Sequence, residues 1–263
     1  MTQPTIPPDY APSLDLLQGR VVLITGAAAG IGRALALQAA GHGAAVVLLD
    51  RDVRQLEQVY DAIEANGGPQ PAIYPLNLEG ATPDDYTELA ESLDKNFGAL
   101  HGLVHNAAVL GTPAPIELYN PETWLRTLHV NLNAPFLLTR ACLPLLKRTS
   151  GASIVYLSDD SGRRGRPYWG AYGVSKAGLE GLMRIVAAEL ADTRDVRVNS
   201  VDPGPVRTAL RVSAYPAEDQ TRLPLPDAAA RQLLYLLGQD ARHLHGESLT
   251  LELRAATTPG LGS

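Results

Sequence analysis

The sequence predicts one doubly wound α/β domain, a seven-stranded parallel sheet with helices on both faces. Three observations carry that reading. Short apolar runs alternate with helical patterns from residue 19 onward. The runs are nearly continuous, as buried parallel strands are, because helices cover both of their faces. A glycine cluster follows the first run directly and opens the first helical pattern.

The elements follow in order. Residues 1–18 carry Pro4, Pro7, Pro8 and Pro12 and read as an extended or loosely docked arm before a domain over 19–263. Residues 21–24 form the first strand. Residues 44–49, 72–76, 100–105, 153–157, 196–201 and 248–253 supply the other six. Thr82-Pro83-Asp84-Asp85 starts a helix with a cap, a first-turn proline and acids at the positive dipole end. Asn120-Pro121-Glu122 repeats the device, and Gly98 and Gly238 make stops. Residues 202–226 break the rhythm, being long and proline-containing. They read as a structureless lid, with 207–225 as the part that covers the site.

Composition narrows the class. Of 263 residues, 45% are hydrophobic, enough for a full core and too many for disorder. With 22 basic and 28 acidic residues the net charge is -6, which argues against nucleic acid as a partner. The single cysteine, Cys142, excludes an internal disulfide and reads as a small buried side chain in a reduced compartment. Residues 1–19 hold no Lys or Arg, so a charged signal-peptide segment is missing. No apolar run approaches the roughly 18 residues of a membrane span. The expectation is a cytoplasmic protein with no membrane partner.

Thr25-Gly26-Ala27-Ala28-Ala29-Gly30-Ile31-Gly32 links the first strand to a helix. Gly26 allows the tight turn, Gly30 lets backbone amides approach a pyrophosphate, and Gly32 lets the helix pack close. The anion then meets a helix N-terminus, where free N–H groups and the dipole favour negative charge. Asp50, 24 residues beyond Gly26, ends the second strand. Its carboxylate suits the adenosine ribose hydroxyls and repels a 2′-phosphate, which favours NAD. Arg51 follows at once and offers a clamp for that phosphate, so NADP stays open as the alternative.

The three-residue gap between Gly26 and Gly30 resembles the short-chain dehydrogenase/reductase superfamily, and the resemblance covers nearly all of the chain after the arm. Asn77 and Leu78 stand at the adenine-contacting position. Asn106, in His105-Asn106-Ala107-Ala108, matches part of the element after strand four. Asn131 matches an asparagine on the long fifth helix. Tyr172-x-x-x-Lys176 matches the catalytic pair. Pro203-Gly204-Pro205-Val206-Arg207-Thr208 matches the turn over the nicotinamide. Residues 162–172 are also similar to the YciK-type branch of bacterial oxidoreductases. The resemblance implies a Rossmann-type fold, a bound nicotinamide dinucleotide, a carbonyl or alcohol substrate, and a homodimer or homotetramer. It also implies that Asn131 holds a water linking Lys176 to solvent.

Tyr172 and Lys176, at i and i+4, share a helix face. A phenol near pKa 10 is a poor base, and a neighbouring ammonium is expected to lower it so that Tyr172 can exchange a proton with substrate. The resemblance places a serine thirteen residues before the tyrosine. This chain has Asp159 there. An ionised carboxylate only accepts hydrogen bonds and repels an alkoxide-like oxygen. Three readings stay open. Asp159 is held neutral beside Asp160 and donates as an acid; or Ser161, of the same strand parity, or less favourably Ser158, substitutes; or turnover is impaired and the chain only binds dinucleotide. Arg163, Arg164 and Arg166 read first as solvated loop charges, second as partners for Asp159 and Asp160 or for an anionic substrate. Tyr168, Trp169 and Tyr215 read as apolar substrate contacts. The histidines suggest no metal site.

Overall fold

The structure is a computed structural model that describes residues 5–192 and 195–253. Its centre is β1 (Val21–Thr25), flanked by β2 (Ala45–Asp50) and β4 (Gly102–His105). Beyond β2 lies β3 (Ala72–Pro75). Beyond β4 lie β5 (Ala152–Leu157), β6 (Val196–Asp202) and β7 (Ser248–Thr250). The order is β3-β2-β1-β4-β5-β6-β7, and every pairing is parallel. The chain reverses its winding between β1 and β4, so a crevice opens at the carboxyl ends of those strands.

Helices cover both faces. On one side α1 (Gly30–Gly41), α2 (Val53–Ala65) and α9 (Pro226–Leu237) pack Leu35, Leu56 and Leu233 against Ile24 and Leu48. On the other α3 (Pro83–Phe97), α5 (Ala134–Arg148) and α7 (Gly170–Glu189) pack Leu89, Leu138, Cys142 and Met183 against Leu23 and Ile154. Two sheet faces each buried under apolar side chains explain why the strands lack polar alternation.

The helix starts obey local chemistry. Asp85 accepts from the Thr82 N–H at 2.7 Å and from its hydroxyl, and Pro83 enters where an N–H has no partner to lose. Asn120 accepts from the Thr123 N–H at 2.8 Å and opens α4 (Pro121–Leu128). Gly98 ends α3 at φ 66°, a left-handed conformation. Gly238 ends α9 in extended conformation instead.

The helix carrying Asn131 runs unbroken from Pro121 to Arg148, as expected, with a π-helical turn at His129–Asn133 inside it. Three expectations need correction. The 202–226 stretch is not structureless: it contains α8 (Ala209–Ala214) and a 3₁₀ turn at Gln220–Arg222. The last strand ends at Thr250, earlier than expected. The arm is not loosely docked. Ile6 and Leu17 are completely buried, Tyr10 donates to Asp240, and the Leu17 N–H bonds the His42 carbonyl at 2.9 Å.

Candidate active site

The crevice at the strand tips forms two joined cavities. One, of about 280 Å³, runs from the glycine turn past Asp159, Tyr172 and Lys176 to the lid. The other, of about 210 Å³, lies between Asp50, Arg51, Asn77, Leu78 and Glu79. They share Gly26, Asp50, Ala107 and Ala108.

At the shared end, the turn is shaped for a dinucleotide. Ala29 precedes α1 without any side-chain cap, so the first amides of the helix are left to a ligand. A Cβ on Gly32 would sit 2.2 Å from the Gly26 carbonyl oxygen, so only glycine allows this helix approach. Gly30, at φ 55°, and Ile31 face the cavity. The side chain of Asn106 donates to the Thr25 and Gly26 carbonyls and pins the turn to the end of β4. Asp50 accepts the amides of Arg51 and Asp52, at 2.7 and 3.2 Å, and of Ala28 at 3.3 Å. Arg51 pairs with Glu79 at 2.9 Å on the surface. Asn77 accepts the Glu79 N–H, closing the turn beside Leu78. Pro203, Gly204, Val206 and Thr208 line the opposite wall, and Thr208 caps α8. These residues fit a nicotinamide dinucleotide laid along the crevice.

At the far end Tyr172 and Lys176 are both buried. The Lys176 ammonium lies 5.5 Å from the Tyr172 ring centre and donates to the Leu157 carbonyl at 2.7 Å. Their electrostatics reverse the expected direction. Burial, then Asp159, Asp202 and Tyr215, push the Tyr172 phenol well above its ordinary value. Burial brings Lys176 down to about 8, against the pull of Asp159, Asp202 and Glu180. Lys176 is surrounded by carboxylates, so the acidification of the phenol expected from it is overcome.

Asp159 lies just beyond the end of β5, half-buried, and caps α6 (Asp160–Arg163). Its Oδ1 accepts the Ser161 N–H at 2.8 Å. The strand therefore stops before Ser161, and the parity argument for that serine fails. Ser161 is buried outside the cavity lining, whereas Ser158 lines it. Asp160 is neutralised by Arg164 and Arg166. Arg163 is no solvated loop charge: it binds buried Glu180 at 3.1 Å and the Leu249 carbonyl. Tyr168 is exposed and off the cavity, while Trp169 and Tyr215 line it. Asn131 is buried, and its amide bonds Val109 at both ends and Ser175. It braces the loop after β4 within the π turn.

The comparisons with known proteins agree with this geometry. The short chain dehydrogenase family model matches residues 20–219. The chain belongs to the short chain dehydrogenase family. It is 40% identical to the oxidoreductase YciK of Escherichia coli (strain K12) over 96% of this chain and 98% of that one. Among solved structures, a short chain dehydrogenase from Pseudomonas syringae is 47% identical with TM-score 0.89, covering 93% of this chain and 99% of that one. One from Shigella flexneri 2a, complexed with NADP, is 40% identical with TM-score 0.88, covering 90% and 99%.

Sequence reasoning missed Glu180, Asp202 and Arg211. Glu180 follows Lys176 by four residues, as Lys176 follows Tyr172, so one helix face carries all three. Ser200 and Ser248 donate to it, and despite the upward push of burial its carboxyl lies below the ordinary value. Asp202 is buried, accepts the Gly204 N–H at 2.8 Å, and is pushed up chiefly by burial. Arg211 and Glu218 pair across the lid through two bonds of 2.6 Å.

Proposed function

We propose that this protein is an NAD(P)-dependent oxidoreductase acting on a carbonyl/alcohol substrate. One observation carries the reading: the crevice that starts at the open amides of α1 ends at the paired Tyr172 and Lys176. The dinucleotide, when bound, supplies or accepts the hydride. Tyr172, kept protonated by burial and by Asp159, serves as proton donor, which favours reduction. Lys176 holds the nicotinamide ribose and recharges Tyr172. Trp169 and Tyr215 exclude water from the reacting end.

Asp50 alone favours NAD. Two observations move the reading to NADP. Asp50 is already committed to three backbone amides, and the Shigella flexneri relative was solved with NADP. Arg51, held by Glu79, is the residue to turn toward a 2′-phosphate. Paired NADH and NADPH titrations test this, and Arg51→Ala should erase an NADPH preference of about tenfold, or 1.4 kcal/mol.

A second reading, dinucleotide binding without turnover, draws on the charge of Asp159 against Tyr172. The deciding experiment is a screen of ketones and alcohols with NADPH bound. One substrate turned over by the wild type and lost in Tyr172→Phe ends the binding-only reading; dinucleotide affinity should stay unchanged in that variant. A homodimer or homotetramer would cover the exposed Phe136, Val174 and Ile185. Among the described residues no helix is long and apolar enough to cross a membrane. We read the site of action as cytoplasmic.

A further inference from the structure

We propose that the cleft selects a carbonyl or alcohol substrate with a protonated nitrogen next to its reacting carbon, with Asp159 as counter-ion and Trp169 and Tyr215 as aromatic walls. This rests on the oxidoreductase reading of the same cleft and names the substrate class within it.

The charges facing the reacting end decide the sign of its field. Asp160 is shared by Arg164 and Arg166, one acid between two cations. Arg211 is bound by Glu218 and lies over the Tyr215 ring at 3.8 Å. Arg166 also donates to the Tyr215 hydroxyl. Lys176 is tied to the Leu157 carbonyl. Asp159 has no ion-pair partner among the described residues, and the one hydrogen bond its side chain makes there is accepted by Oδ1 from the Ser161 N–H. Asp202, buried and outside the cleft lining, adds its charge to the same region. Asp159 is thus the acid at the reacting end without an ion-pair partner among the described residues, beside Lys176 and the Glu218-bound Arg211.

The walls suit the same ligand. The rings of Trp169 and Tyr215 lie 5.7 Å apart, and that of Tyr172 lies 5.5 Å from Trp169. Aromatic faces attract cations, and a carboxylate beside them adds a charge-assisted hydrogen bond. A neutral hydroxyl gains neither. An anionic group placed beside the Asp159 carboxylate is repelled.

Calorimetric titration of the protein with NADPH bound tests this, using benzylammonium, benzyl alcohol and benzoate at pH 7. The expected order is ammonium, alcohol, carboxylate, with the ammonium about tenfold tighter than the alcohol. Asp159→Asn keeps an oxygen to cap α6 and should bring that ratio near one without changing NADPH affinity. Trp169→Leu should weaken the ammonium alone. Undetectable ammonium binding, equal binding of the alcohol, or a preference that survives Asp159→Asn overturns the inference. If NADPH itself fails to bind the wild type, the oxidoreductase reading falls and takes this one with it.

Discussion

Asp159 changes the proton chemistry of its neighbours before it touches any substrate. It pulls both Tyr172 and Lys176 upward, with the larger effect of burial for Tyr172 and against it for Lys176. Lys176 near 8 predicts that kcat/KM for reduction falls above about pH 8, as the ammonium is lost. Asp159→Ser removes an upward pull, so that limb should move to lower pH; a pH–rate profile measures it. A limb that stays in place or moves up would count against the coupling. The sign for stability runs the other way. Lys176 binds its proton more weakly folded than at its ordinary 10.5, so unfolding takes up protons and stability rises with pH from about 8 to 10.5.

At the scale of elements, the glycine turn is the most constrained join. Gly32→Ala places a carbon against the Gly26 carbonyl, and displacing α1 should cost about 1–3 kcal/mol and abolish NADPH binding. Gly41, at the other end of α1, has open space around it. Gly41→Ala should leave binding intact; urea unfolding and NADPH fluorescence read both. The strands, their parallel pairing, the capped helices and the glycine turn were legible because each rests on a local pattern. What was not legible depended on competition or on distance. Asp159 takes the Ser161 amide and ends the strand, an alternative that a parity count ignores. The helix α8 is too short for a period to emerge. Glu180 meets Arg163 only through the packing of α6 on α7, and Arg163 looked like one more loop charge. The phenol's upward shift required burial and two carboxylates brought from separate strand ends.

On the scale of the whole molecule, the arm is part of the core. Ile6 is 1% exposed and packs with α9 residues in one apolar cluster. Ile6→Ala should therefore cost about 2–5 kcal/mol in urea unfolding, far more than a loose tail would. Its contacts reach His42 and Asp240, away from the cleft lining, so NADPH affinity should not move.

One contact of that arm has a topological use. The Gln232 amide nitrogen bonds the carbonyls of Pro8 and Glu252 at 3.3 and 2.8 Å, so positions 8 and 252 are spatial neighbours. A flexible linker from residue 253 back to residue 5, which keeps Ile6 in the core, would make the backbone a ring. Cutting that ring at Gly67-Gly68, between α2 and β3, should yield a permuted chain that still folds and binds NADPH.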